Sequence, residues 1–307
     1  MLGLVILFAV ASAIVVALYV GGIVRDVLHP PRATAGWALA RGRPMSPADL
    51  GLSAKEWTLE RPGAALPVWE IELSDAPGGA TVILVHGWGH SRIDSLGRIA
   101  PYLDHADRIL LVDLRGHGDA TGRTRLGAVE EHDLAALVER CPDGPIVLVG
   151  HSLGATIAIR CAADTPAASR VAGVVAIAPF DTVVTPIRQR LLHRDLPAGV
   201  FLRLAMLVLR AFGVTRRSTI ECARRLRPPL LVIHGEHDRV APPDEGRAIA
   251  EAARGRFVLL HETDHLNHDE RHPTTVADVA SVFLDEIAAP ASAEKTAGDP
   301  KAARRHR

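Results

Sequence analysis

The sequence predicts an α/β fold with a mostly parallel central sheet flanked by helices, and three observations lead there. Short, continuously apolar runs rich in β-branched residues recur at Thr81–Val85, Arg108–Val112, Ile146–Val149, Val174–Ile177, Leu230–Ile233 and Phe257–Leu260. Helical patterns separate them. Strands that alternate with helices pair in parallel and are covered on both faces, so they read as apolar throughout rather than as one face of an alternation. The loops that follow the runs are rich in Gly, His and Asp, at the sheet edge where open α/β folds gather their ligands.

The elements follow in chain order. Residues Leu2 to Val24 carry no charge and no proline. As a helix this run spans roughly 34 Å, enough for a bilayer core, and residues 1–25 read as a single-pass membrane anchor. A cleaved signal peptide would want a basic start and small residues after a shorter apolar run; here the start has no Lys or Arg, and Ala11-Ser12-Ala13 lies mid-run. Arg25, Arg32, Arg41 and Arg43 all follow the run, so the positive-inside rule puts the bulk of the protein in the cytoplasm. Residues 26–65, rich in Pro, Gly, Ala and Arg, read as a linker with one short helix over Pro47 to Glu56. The domain proper is expected over 66–288. It opens with an alternating, exposed-edge strand from Leu66 to Leu73. A helix is expected over Leu96 to Leu103, another over Leu126 to Arg140, and a third from Leu153 to Ala163.

Strand patterning stops after Pro179. Residues 181–227 show helical stretches and arginines at 188, 190, 194, 203, 210, 216, 217, 224, 225 and 227, and read as a helical cap inserted over the sheet's C-terminal edge. These arginines suit a solvated helix face or, beside an anchor, a surface against anionic lipid. A helix over Asp244 to Ala253 and a closing helix over Thr274 to Ala288 complete the domain, and 289–307 read as a disordered tail.

Composition narrows the function. Lys plus Arg equal Asp plus Glu at 35 each, and no basic patch is interleaved with aromatics, which argues against nucleic acid as a partner. The three cysteines, Cys141, Cys161 and Cys222, are too widely spaced for a disulfide framework or zinc site and read as reduced. No Walker loop and no Gly-x-Gly-x-x-Gly opens the first helix, so no nucleotide cofactor is implied. His234, His237 and Asp238 lack a fourth ligand at metal spacing, so no metal is expected.

The chemistry centres on Ile146–Ala155, an apolar strand that ends in Gly150-His151-Ser152-Leu153-Gly154 and passes at once into a helix. To lift one hydroxyl clear of a sheet, the chain must turn sharply at Ser152, and side chains at Gly150 and Gly154 would strike the neighbouring backbone. A serine hydroxyl at neutral pH needs a base, and the base needs an acid to fix its tautomer. Two later strand ends supply both in the order Ser, Asp, His: Asp238 in Gly235-Glu236-His237-Asp238 and His265 in Glu262-Thr263-Asp264-His265. Asp181, after the preceding strand, is the alternative acid, and His268 and His272 lie near His265 as alternatives for the base, His268 foremost. His86 and Gly87 read as loop-shaping residues, Asp113, Arg115 and His117 as holding a turn, and His151 as either a packed neighbour or a substrate contact.

With this elbow, the His86-Gly87 loop, the Asp113-x-Arg115-Gly116-His117-Gly118 turn and the acid loop all in order, residues 66–288 resemble the α/β-hydrolase-fold enzymes. The resemblance implies Ser152 as nucleophile, Asp238 as acid, His265 as base, and the N–H groups of Trp88 and Leu153 as the oxyanion hole. It departs from the family's pattern at Asp264, where Gly is frequent. The expected function is a membrane-anchored serine hydrolase acting on a small-molecule ester or thioester, lipid-like in view of the anchor, with no cofactor. A peptidase or a cofactor-free, haloperoxidase-like enzyme of the same fold would keep the same three residues, and a non-catalytic binding module is the reading from another class.

Overall fold

The computed structural model describes residues 1–74 and 80–297. Its strands are β1 (Ala54–Arg61), β2 (Ala64–Glu72), β3 (Thr81–Val85), β4 (Arg108–Val112), β5 (Ile146–His151), β6 (Val171–Ile177), β7 (Leu230–Gly235) and β8 (Arg256–Leu260). They form one sheet in the order β1-β2-β4-β3-β5-β6-β7-β8. From β4 to β8 every pairing is parallel, while β2 runs antiparallel to both its neighbours. β5 lies near the centre, and its side chains divide evenly between two cores. Ile146 and Leu148 join the core on one face, Val147 and Val149 the core on the other, and all four are essentially without exposure. Burial on both faces explains why the run reads as continuously apolar.

The helices are α1 (Leu2–Leu28), α2 (Ala35–Leu39), α3 (Arg92–Leu96), α4 (Glu130–Arg140), α5 (Leu153–Asp164), α6 (Val184–His193), α7 (Gly199–Ala211), α8 (Thr219–Ala223), α9 (Pro243–Ala252), α10 (His268–Arg271) and α11 (Pro273–Ala297). α6, α7 and α8 make up the insertion expected at 181–227, and no strand interrupts it. α11 runs through Ala297, past the point where the sequence suggested a disordered tail; residues 298–307 of that tail lie outside the described residues.

Five expectations about element boundaries give way. The region read as a linker, 26–65, contains β1, and the helix expected over Pro47 to Glu56 is only a 3-10 turn at Pro47–Leu50, ended by Gly51 at φ 73°. β1 is short on apolar residues because it is the sheet's edge: Lys55, Glu56 and Glu60 face water, and such charges keep an edge from pairing with another chain. It joins β2 through Pro62-Gly63, with Gly63 at φ 70°. β2 is therefore an interior strand, not the exposed edge its alternation suggested, and Leu66, Val68 and Ile71 are buried. The helix expected over Leu96 to Leu103 is replaced by α3 and a 3-10 turn at Ala100–Tyr102. A capping box between Ser91 and Asp94 starts α3, and Gly97 closes it. α4 begins at Glu130 rather than Leu126. The Glu130 carboxylate folds back to accept the Arg125 N–H at 2.7 Å and the Gly127 N–H at 2.9 Å, holding those residues in a turn that Gly127 permits at φ 96°.

The longest helix, α1, is long and apolar enough to cross a membrane. Its first two thirds are exposed, but Val20, Ile23, Val24 and Leu28 join the domain's core. The Tyr19 hydroxyl donates to the Pro197 carbonyl at 2.9 Å, and its ring meets Phe201 of α7 edge-on at 4.9 Å.

The cap is fastened at its base by Arg160 of α5, a fully buried side chain. Its Nη2 donates to the Arg217 carbonyl at 2.7 Å and the Thr219 hydroxyl at 3.1 Å, and reaches the Asp181 carbonyl at 3.3 Å. Charge-assisted bonds of this kind outweigh neutral ones, and removal strands the buried acceptors. Arg160→Leu is expected to cost about 2 kcal/mol in denaturant unfolding, on the scale of such bonds. The same variant is expected to speed limited proteolysis within 181–227 ahead of the sheet.

Candidate active site

The loop between β5 and α5 is a turn with no slack. Ser152 has φ 53° and ψ −112°, a conformation that a residue with a Cβ adopts only under strain of order 1–3 kcal/mol. Its N–H is held by the Ile177 carbonyl of β6 at 2.8 Å. A Cβ at Gly150 would run into the Gly154 carbonyl and the Ala155 N–H, and one at Gly154 into the Val85 carbonyl. The two glycines let α5 pack this close to β3 and β5, which is what thrusts Ser152 forward.

The loops after β7 and β8 bring two partners to it. His265 Nε2 lies 2.9 Å from Ser152 Oγ, and His265 Nδ1 lies 2.7 Å from Asp238 Oδ2. A carboxylate only accepts, so Nδ1 carries the proton and Nε2 presents its lone pair to the hydroxyl. Asp238 Oδ1 accepts the Val240 N–H at 2.9 Å and the Ala241 N–H at 2.8 Å. Burial pushes the Asp238 carboxyl up, but the bonds from His234, His265 and the Ala241 N–H outweigh it and hold the group well below the usual carboxylate range. The acid stays charged where it faces the imidazole.

Asp181 is not in this chain of contacts. Its carboxylate accepts the Ser218 hydroxyl at 2.6 Å and the Ile220 N–H at 3.1 Å, anchoring the start of α8. Nor is His268 bonded to Ser152. It is fully buried against the His151 ring, with centroids 5.7 Å apart, and neither of its ring nitrogens has a partner among the described residues. Asp264, which departs from the family's frequent Gly, shapes the loop that carries His265: its Oδ1 accepts the Leu266 N–H at 2.9 Å, and its own N–H donates to Asn267 Oδ1 at 2.9 Å.

Two histidines position the others: His151 is the packed neighbour that the sequence allowed, while the role of His234 was not foreseen. His234 Nε2 donates to the Ala241 carbonyl at 2.8 Å and lies 3.3 Å from Asp238 Oδ2, so it steadies the acid loop. A Cβ at Gly246 of α9 would fall on that ring, so the ring requires a glycine there. His151 Nε2 donates to the His265 backbone carbonyl at 3.1 Å. The only signal for either was a histidine beside a strand end. His86 has its tautomer fixed: Nδ1 donates to the Gly87 carbonyl at 2.8 Å, and Nε2 accepts the Leu114 N–H at 3.0 Å. Arg115 forms a two-pronged pair with Asp133, at 2.6 and 2.7 Å, away from Ser152.

Among the described residues, neither the Trp88 nor the Leu153 N–H donates to a carbonyl. Ser152 lies between two cavities. One, of about 1090 Å³ including its mouth, is mainly apolar and is lined by Leu153, Val183, Ile187 and Leu191 together with Tyr19 and Ile23 of α1. The other, about 1220 Å³, is the more polar of the two, with His90, His193, His237, Arg239 and Asn267 among its lining residues. Arg190 borders both, its guanidinium 3.8 Å from the centre of the Trp88 ring. Burial, with Arg194 nearby, lowers that guanidinium to about 10. The Trp88 indole donates to the Val27 carbonyl of α1 at 3.1 Å, which ties the loop to the N-terminal helix.

The buried histidines make the domain acid-sensitive. Burial pushes His117 down to about 4 and His268 to about 3, and holds His86 and His151 well below the usual value. In the unfolded chain each titrates near 6.5, so below that pH the unfolded state binds protons the folded state refuses. Their contribution is complete above about pH 6.5 and is lost as pH falls toward 4, at up to about 1.4 kcal/mol per pH unit for each such histidine. Asp113, pushed up to about 6 mainly by burial, and Glu131, also raised by burial, act in the opposite sense, two groups against four. Melting temperature is therefore expected to drop between pH 7 and 5, and His268→Gln to make that slope shallower.

Comparison with known proteins agrees with this architecture. Residues 82–279 match the model of the alpha/beta hydrolase family. Over 198 residues the chain is 32% identical to human protein ABHD12B, a match that covers 62% of this chain and 53% of that one, so it spans about half of the human protein. It is 27% identical over 249 residues to pyrrolizixenacetamide deacetylase of Xenorhabdus hominickii, covering 68% of this chain and 92% of that enzyme. Among solved structures, an esterase of Pyrococcus furiosus superimposes with a TM-score of 0.67 at 22% identity, covering 85% of this chain and 98% of the esterase. The chain belongs to the alpha/beta hydrolase family.

Proposed function

We propose that this protein is a membrane-anchored serine hydrolase that cleaves an ester or thioester of an apolar acyl group through an acyl-enzyme on Ser152. The observation that carries the reading is the continuous relay from Asp238 through His265 to Ser152, at 2.7 and 2.9 Å, between an apolar cavity and a more polar one.

The chemistry follows from the proton positions. Ser152 Oγ attacks the acyl carbonyl as its proton passes to His265 Nε2, and Asp238 stabilises the resulting imidazolium through Nδ1–H. The carbonyl oxygen becomes an oxyanion facing the Trp88 and Leu153 N–H groups, and losing one such donor typically costs about 3 kcal/mol in the barrier. The tetrahedral adduct collapses, the bond to the alkoxide or thiolate breaks, and His265 returns its proton to that leaving group. A water then gives its proton to His265 and attacks the acyl carbon. Collapse releases the carboxylic acid and restores the Ser152 hydroxyl.

The apolar cavity suits the acyl chain and the polar cavity the departing alcohol or thiol. The 27-residue apolar helix supports an anchor, and the arginines that follow it support a cytoplasmic domain.

A fluorophosphonate probe is expected to label Ser152 in the intact protein, and labelling should collapse in Ser152→Ala and His265→Ala. Asp238→Asn is expected to lower kcat for p-nitrophenyl esters by about 10³-fold or more, with KM little changed, because the charged acid acts mainly in the transition state. An Asp181→Asn variant with the larger loss would instead assign the acid to Asp181.

A further inference from the structure

We propose that α1 is a substrate-binding element as well as an anchor: its last three turns form one wall of the acyl cavity, and a long acyl chain enters that cavity from the bilayer that holds the helix. The proposal rests on the serine hydrolase reading above and adds the site of the acyl chain and its route.

The wall is built from two adjacent ridges on one helix face, Leu18, Gly22 and Asp26 beside Tyr19, Ile23 and Val27, each at four-residue spacing. Opposite them stand Val183, Ile187 and Leu191 of the cap, and the inner end is closed by Ser152 and Leu153. A chain whose ester carbonyl sits at Ser152 therefore has α1 along its length. The helix is held in place, not merely adjacent. Val20, Ile23, Val24 and Leu28 are buried in the core, Trp88 bonds to the Val27 carbonyl, and Tyr19 bonds to Pro197.

Length fixes where this wall lies relative to a membrane. The outward part of α1, Leu2–Leu18, is exposed but for a half-buried Val16 and runs about 25 Å at the helical rise. A bilayer's hydrocarbon core is about 30 Å thick, so the domain side of α1 must meet it at the cap. The cap helix packed on α1, α7, turns Val200, Leu204 and Leu207 outward, with exposures of 58%, 37% and 68%. That apolar face continues the anchor's surface and seats the cavity mouth at the lipid boundary. An acyl chain can then pass from lipid to Ser152 without crossing water.

The test uses full-length protein in detergent micelles and the ratio of kcat/KM for p-nitrophenyl palmitate to that for p-nitrophenyl acetate. Gly22 lines the cavity, and a Cβ there meets no atom within 4 Å, so a large side chain can fill the space without moving backbone. Gly22→Trp is expected to lower the palmitate-to-acetate ratio at least tenfold. Leu7→Trp, on the exposed stretch, should leave the ratio within twofold of wild type. A Gly22→Trp ratio within twofold of wild type overturns the proposal, as does an equal fall on both esters. If Gly22→Trp does not fold, Ile23→Ala carries the test: widening the cavity should change the ratio at least threefold, and an unchanged ratio overturns it. Failure of the underlying hydrolase reading looks different, since wild type would then turn over neither ester and its Ser152 would resist the fluorophosphonate.

Discussion

Crowding at one turn organises the molecule. Ser152 can hold φ 53° only because α5 and the sheet press on it from both sides, and they can press that closely only because Gly150 and Gly154 have no side chains. Tight packing here does more than aim a hydroxyl. It leaves the Leu153 N–H at the open end of a helix, where the first N–H groups lack helical partners and carry partial positive charge. It also fixes the spot at which the loops after β7 and β8 must deliver their residues. The remaining polar architecture follows from that spot: His234 steadies Asp238, His151 holds the His265 carbonyl, and Asp264 folds the loop between them.

The surroundings of the serine divide by polarity. A neutral, buried set of histidines lies behind it, a polar cavity opens on one side, and an apolar cavity opens on the other. Burial keeps His151 and His268 uncharged, so neither adds a second imidazolium beside the one that the proposed mechanism forms at His265. Arg190, stacked on Trp88 at the boundary, sets a positive charge beside the loop that would bind the oxyanion. The tie from Trp88 to Val27 then makes that loop depend on where the N-terminal helix sits.

How much of this was legible in the sequence depends on the range of the interaction concerned. The five strands from β3 to β7 were readable because burial on both faces writes itself into the run, and β8, though a half-buried edge strand, keeps an apolar run over Phe257–Leu260. Ser152, Asp238 and His265 were readable because each follows such a run. β1 was not, since an edge strand is selected for charge and has little apolar pattern to show, and its absence made β2 look like the edge. The start of α4 was lost because Glu130 bonds backward to Arg125 and Gly127, a side-chain effect invisible to periodicity. The role of α1 was the least readable of all. A membrane-length apolar run looks alike on every side, and only its docking on α7 and Trp88 singles out the ridges that face the cavity.

The central claim is a covalent acyl group on Ser152, and the most direct measurement is a rapid-quench experiment with a p-nitrophenyl ester at high enzyme concentration. The account predicts a burst of p-nitrophenol close to one equivalent per protein, together with a peptide containing Ser152 that is heavier by the acyl mass in the quenched sample. An acyl mass on any other residue, or turnover that persists in Ser152→Ala with no acylated peptide at any time, would contradict the account.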